Sequence, residues 1–282
     1  MTAAQSELAG RTFLVTGGNT GIGRATAAGL AERGGRVYVA CRSEEKGRRA
    51  VAEIKAATGN DGVVLLSLDL ADLASVRRCA QEFLARDEPL HVLINNAGEG
   101  GQRGLTADGF ELAFGINHVG HFALTLALLD RLAASAPARV VTVASDAHYQ
   151  ARGIDFDAVR RPTASLTGMR EYAVSKLANV LFSTELARRV RERGITTYSL
   201  HPGVVASDIW RRIPWPVRPL IKLRMLSPEQ GARTSLYCAT SDAVAGVTGR
   251  FYDDCREREP SKAATSELAR ALWERTEAWV SA

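Results

Sequence analysis

Along the chain, short runs of apolar, largely β-branched residues alternate with longer stretches whose apolar positions recur at helical spacing. TFLVTG precedes a helical stretch over 21–33, RVYVAC one over 44–58, VVLLSLDL one over 72–86, and HVLINNAG one over about 107–134. ARVVTVAS then leads into 169–193, ITTYSLHPG into 228–240, and GRFYD into a C-terminal helix near 262–280. The strands are almost continuously apolar, as a strand must be when helices cover both faces of its sheet. Strand–helix alternation at this spacing implies right-handed βαβ units and a mostly parallel sheet. The pattern predicts an α/β protein with one doubly wound sheet of about seven strands, residues 1–282 forming a single domain. Only 204–226, VVASDIWRRIPWPVRPLIKLRML, has no clean period; it carries three prolines, two tryptophans and several cations.

Composition narrows the function classes. Hydrophobic residues make up 46% and charged residues 24% of 282, enough apolar surface for a sizeable core. No stretch reaches 18 uncharged apolar residues, and FALTLALLDRLAA, broken by Asp130 and Arg131, reads as a helix covering a sheet. The N-terminal MTAAQSELAGRT has no apolar signal region, so a cytoplasmic protein without a transmembrane segment is expected. Cys41, Cys79, Cys238 and Cys255 form no CxxC or Cys/His pattern, which argues for reduced thiols and against a zinc site. The net charge of +5 comes from arginines interleaved with glutamates, as in ARRVRERG, the signature of solvated helix faces and not of a nucleic-acid surface. The excess still suits an anionic ligand or peripheral contact with an acidic membrane.

In open α/β sheets, ligands bind at the carboxyl ends of the strands, and the unusual residues of this chain gather there. TGGNTGIG places Gly17, Asn19, Thr20, Gly21, Ile22 and Gly23 between the first strand and the first helix. Its G-x-x-x-G-x-G spacing permits a tight turn and lets backbone N–H groups reach a pyrophosphate at the helix N-terminus; a turn for close packing is the plain alternative. At the end of the second strand, where an acidic residue would select NAD(H), stand Cys41 and Arg42. A guanidinium there favours a 2′-phosphate, hence NADP(H), unless Arg42 is simply a surface residue opening the next helix. Asp69 and Leu70 end the third strand and could line an adenine, although Asp69 could equally serve the turn into the next helix. The fourth strand ends in Asn95 and Asn96, which need partners, and in Ala97 and Gly98, which leave room for a ribose.

Taken together, TGGNTGIG, Asp69–Leu70, NNAG, Asn117 in GINHVG, Ser145 in VVTVAS, YAVSK at 172–176 and HPG at 201–203 resemble the short-chain dehydrogenase/reductase family over about residues 9–255. The resemblance implies a Rossmann-type fold. ACR, NNAG, NHVGHF, APARVV, SKLAN and TTYSLHPG look most like its retinol dehydrogenase branch, whose members act on retinoids and other lipophilic carbonyls. The 27 residues from Ser145 to Tyr172 exceed the commonest family spacing and are similar to that branch.

The chemistry can be argued from the residues. Lys176 lies one helical turn from Tyr172 and shares its face. A phenol of pKa about 10 must fall by about three units, some 4 kcal/mol, to work as an acid–base near neutrality. One cation at about 4 Å and an effective dielectric of about 20 supplies roughly that. Ser145 would donate to the substrate oxygen, or else cap the turn into DAHYQ. By resemblance, Lys176 also holds the nicotinamide ribose, and Asn117 holds a water in a proton relay; otherwise Asn117 bonds its own helix. By resemblance too, Pro202, Gly203 and Val205 lie along the nicotinamide, with Ser207 at a position often filled by Thr. His118, His121, His148 and His201 read as packing or turn residues.

Residues 204–226 would form an apolar lid for a lipophilic substrate, lie against anionic headgroups, or make a packed connection or subunit contact. The leading expectation is an NADP(H)-dependent oxidoreductase. A ketone reductase of secondary metabolism and a non-catalytic NADP-binding sensor or scaffold are its rivals. A homodimer or homotetramer would use the 107–134 and 169–193 helices, unless the C-terminal helix covers them.

Overall fold

The computed structural model describes residues 7–204 and 226–281. Strands β1 (Thr12–Thr16), β2 (Arg36–Cys41), β3 (Val63–Ser67), β4 (Val92–Asn95), β5 (Ala138–Val143), β6 (Ile195–His201), β7 (Arg250–Asp253) and β8 (Arg256–Glu257) form one sheet in the order 3-2-1-4-5-6-7-8. The first seven pair in parallel, as the alternating pattern requires. The eighth differs from the expectation of about seven. It is a two-residue antiparallel return of β7 across a tight turn, with Asp254 and Cys255 at φ 45° and 60°. Two exposed charged residues carry no hydrophobic period, so this strand has no sequence signal.

Side chains alternate across the sheet. Leu14, Tyr38, Leu93 and Val140 point into one core layer, and Phe13, Val15, Val37, Val39, Ile94 and Val141 into the other. The helices supply the matching faces: α1 (Gly21–Glu32), α2 (Glu44–Thr58) and α6 (Pro228–Thr240) on one side; α3 (Leu73–Leu84), α4 (Leu112–Ala134), α5 (Met169–Arg189) and α7 (Ser266–Ser281) on the other. Every residue of β1, β4 and β5 is buried, which is why these runs read as unbroken apolar stretches. The helix expected over 107–134 begins at Leu112, because Thr106–Phe110 is a turn whose Thr106 hydroxyl accepts from the Phe110 amide at 3.1 Å. By length and composition α4 could cross a membrane, but 67% of its apolar window is buried inside the fold, as in a core helix.

The order of strands places the site. The chain runs outward from β1 to β2 and β3, then crosses back to lay β4 on the other side of β1. The carboxyl ends of β1 and β4 therefore flank a switch point where a crevice opens.

Candidate active site

β1 delivers Thr16 to the crevice, and the chain turns through Gly17–Thr20 into α1. Gly21 has φ +52° with open space where a Cβ would point. Gly23 has no such space: a Cβ there would lie 2.3 Å from the Gly17 oxygen and 2.4 Å from Asn96 Nδ2. The first glycine thus lets a ligand approach the backbone, and the other lets α1 press against the β4 end. Thr20 caps α1 without a side-chain hydrogen bond, and no acidic residue occupies its first turn. Free N–H groups and the positive end of the helix dipole make a cradle fit for a pyrophosphate.

Arg42 is exposed at the end of β2 and has no ion pair among the described residues. Ser43 caps α2, accepting from the Lys46 amide at 3.4 Å. Cys41 beside it is buried, its thiol pushed up to about 11 by burial. Asp69 accepts from the Ala71 amide at 2.9 Å and so does shape the turn toward α3, while Leu70 packs beneath Gly120 of α4. At the end of β4, Asn96 donates to the Thr16 carbonyl at 2.8 Å, and Asn95 donates to Thr125 at 3.0 Å.

Opposite, β5 and α5 bring the reactive groups together. Tyr172 is 7% exposed and Lys176 3%, both in the first two turns of α5. Lys176 Nζ sits 5.5 Å from the centre of the Tyr172 ring and donates to the Val143 carbonyl at 2.9 Å. The Ser145 hydroxyl accepts from the Ala147 amide at 3.2 Å and acts on Tyr172 by lowering its pKa. Ser145 therefore caps the turn into DAHYQ with a lone pair, which leaves its hydrogen for another partner. From a Cβ built on Gly98, Lys176 Nζ would be 3.4 Å away and Asn117 Oδ1 3.5 Å, so the loop after β4 closes over both groups.

One alternative read from the sequence needs correction. Asn117 does not bond its own helix with its side chain. It lies in a π-helical segment, Gly115–Gly120, and clamps the loop instead: Oδ1 accepts from the Glu99 amide at 2.7 Å, while Nδ2 donates to the Glu99 carbonyl at 2.9 Å and to Ser175 Oγ at 2.8 Å. Both amide hydrogens are used, so this side chain positions the loop. Burial is the largest influence on both Tyr172 and Lys176. Burial raises Tyr172, with the Ser145 contact pulling it partly back, and burial brings Lys176 down to about 7.

Several participants carried no individual motif. Asn179 donates to the same Val143 carbonyl as Lys176, at 3.1 Å. His148 Nδ1 lies 2.6 Å from the Ser145 carbonyl and its Nε2 accepts from the Ser261 amide at 3.0 Å, fixing the turn that carries Ser145. Helical spacing could have found Asn179, since 172, 176 and 179 share a face; His148 depends on a contact with the C-terminal region. Pro202 and Gly203 follow β6, with Gly203 at φ +84°. Val205, Ser207 and nearly all of the 204–226 segment lie outside the described residues. Its ends meet: the Leu226 amide donates to the Val204 carbonyl at 2.9 Å. A cavity of about 910 Å³ lined by Phe114, Ala151, Ile154, Val159, Met169 and Ala173 lies near this site. Its described lining includes none of Ser145, Tyr172 or Lys176, so the candidate site is set by its chemistry and not by the size of a void.

Residues 11–156 match the family model described as short chain dehydrogenase. Retinol dehydrogenase 11 of Homo sapiens is 46% identical over 273 residues, covering 95% of this chain and 85% of the relative. Retinol dehydrogenase 12 of Homo sapiens is 44% identical over 275 residues with the same coverage. Among solved structures, an uncharacterised protein from Mycobacterium paratuberculosis superposes with TM-score 0.79 at 34% identity, over 98% of this chain and 95% of the other. The RhlG/NADP active-site complex of Pseudomonas aeruginosa superposes with TM-score 0.71 at 27% identity, over 94% and 100%.

Proposed function

Because this chain belongs to the short-chain dehydrogenase/reductase family, we propose that it is an NADP(H)-dependent oxidoreductase acting on a lipophilic alcohol, aldehyde or ketone, with Tyr172 as general acid and base. The observation that carries this reading is the convergence of Tyr172, Ser145 and Lys176 beside Gly98, at the crevice whose other wall is the Gly17–Gly23 cradle. The nicotinamide, when bound, supplies or accepts the hydride. The remaining steps fall to the chain. Ser145 holds the substrate oxygen with its O–H. Raised by burial, Tyr172 is protonated at neutral pH and gives its proton to a carbonyl oxygen as the C–O group becomes an alcohol. In the reverse direction the alcohol proton passes to the phenolate, whose charge Lys176 offsets.

NADP(H) is favoured over NAD(H) by Arg42 standing where an acid would repel the 2′-phosphate, and by the NADP in the RhlG active-site complex. The retinol dehydrogenase names of the relatives support a lipophilic substrate. The 204–226 segment, anchored at the end of β6, would supply the apolar cover. The test is NADPH consumption against a panel of retinal, shorter aldehydes and bulky ketones, run beside Tyr172→Phe. Turnover should fall by about 10²- to 10⁴-fold in the variant. Undiminished turnover would remove Tyr172 from the chemistry, and silence across the panel would favour the sensor.

A further inference from the structure

His121 is a buried side chain that bonds both walls of this site. Its Nε2 lies 2.8 Å from Thr16 Oγ1, on the cofactor side, and its Nδ1 lies 3.0 Å from the Asn117 carbonyl oxygen, on the Lys176 side. Counting hydrogens fixes which nitrogen carries the proton. Thr16 Oγ1 accepts from the Asn96 amide at 2.9 Å and from the Ala97 amide at 3.0 Å, which uses both of its lone pairs. Its own hydrogen must therefore be donated. The Ile94 carbonyl is 3.4 Å away, a poor acceptor beside His121 Nε2. So Nε2 accepts, the imidazole is neutral, and its hydrogen sits on Nδ1, directed at a carbonyl that can only accept.

The backbone gives this ring a reason to be there. In the π-helical segment the His121 amide donates to the His118 carbonyl, not to Asn117 as an α-helix would have it. The His121 side chain reaches the carbonyl that its own amide does not. The same residue makes a third tie: its carbonyl accepts from Thr125 Oγ1 at 2.7 Å, and that hydroxyl accepts from Asn95 Nδ2 at 3.0 Å. Asn95, Asn96 and Ala97 are thus all linked to one point on α4.

We propose that His121 is a positioning residue that locks the strand end at Asn95–Gly98 to the Asn117–Lys176 end of the site through a single neutral tautomer. A protonated ring would set an N–H against a hydroxyl with no lone pair left. Burial accordingly holds its pKa down to about 4, with the neighbouring Lys176 charge acting in the same direction. The meaning of the two ends, cofactor ribose and proton transfer, rests on the function proposed above.

Two amide substitutions separate the two bonds. An asparagine at 121 sets its amide nitrogen near Nδ1 and keeps the Asn117 bond, losing Thr16. A glutamine reaches Nε2 with its oxygen and keeps Thr16, losing Asn117. His121→Asn should raise the Kd and KM for NADPH about three- to tenfold with kcat little changed. His121→Gln should lower kcat by a similar factor with Kd little changed. A merely structural role would move both parameters together in both variants, and that result, or no change in either, overturns the proposal. Side-chain ¹⁵N spectra of the wild type, with the His121 signal identified by its loss in His121→Asn, should show the Nδ1–H tautomer from about pH 6 to 8. An Nε2–H tautomer or a titration in that range overturns the lock without any reference to activity. Failure of the wild type to bind NADPH or NADH would instead overturn the cofactor reading, while the same spectra still decide the tautomer.

Discussion

At the scale of single residues, the site joins groups whose ordinary preferences are overridden by burial. Asn117 is a weak helix former, yet it is wholly buried inside α4 because the Glu99 backbone and the Ser175 hydroxyl satisfy its amide. Lys176 keeps its place by donating to the Val143 carbonyl, although burial opposes its charge. Arg42 is the opposite case: exposed, with no ion pair among the described residues, and available to a phosphate. A charged hydrogen bond of this kind is worth about 1.5–3 kcal/mol, or roughly ten- to a hundredfold in affinity. Arg42→Asp should therefore move the ratio of kcat/KM for NADPH over NADH toward NADH by at least about tenfold. Steady-state kinetics with both cofactors checks it, and an unchanged ratio would leave the phosphate without its proposed partner.

At the scale of elements, most boundaries follow from signals that local chemistry enforces. Ser43 and Asp72 accept from amides in the first turns of α2 and α3, and Gly59 closes α2 at φ +68°. Ser227 and Gln230 form a reciprocal cap on α6, with Pro228 at its first position. The position of α7 could not be read this way. Its amphipathic face packs on α4 and α5: Trp273 lies 4.8 Å from the Phe122 ring and stacks on Phe182 at 5.9 Å, and the Arg189 guanidinium covers it at 4.5 Å. Thr276 bonds His118 at 3.0 Å beneath it. α7 thus covers this part of α4 and α5 within the chain. Trp273→Ala should cost about 3–5 kcal/mol of unfolding free energy, read by denaturant titration. A loss under about 1 kcal/mol would mean that α7 is not part of this core.

For the whole molecule, the buried lysine couples global stability to pH. Its pKa is about 7 in the fold and about 10.4 in the unfolded chain, so between those values the unfolded state binds more protons. Stability from this group then rises with pH over that window, by up to about 1.4 kcal/mol per unit. The difference in unfolding free energy between wild type and Lys176→Met should grow in favour of the wild type from about pH 7 to 9, below the range where Tyr172 titrates. A difference that stays flat with pH would place the ammonium in contact with water. The sequence by itself determined the layered α/β architecture, because strands buried on both faces must be apolar and parallel strands must be joined by helices. It also marked Gly17, Gly23, Tyr172 and Lys176, whose spacing alone constrains what their backbone and helix face can do. It could not show that Ser145 both caps a turn and meets Tyr172, that burial rules the Tyr172 and Lys176 pKa values, or that His121 joins Thr16 to Asn117. Those facts depend on hydrogen bonds between residues as much as 105 apart and on the dielectric that packing creates, and only the folded chain sets either one.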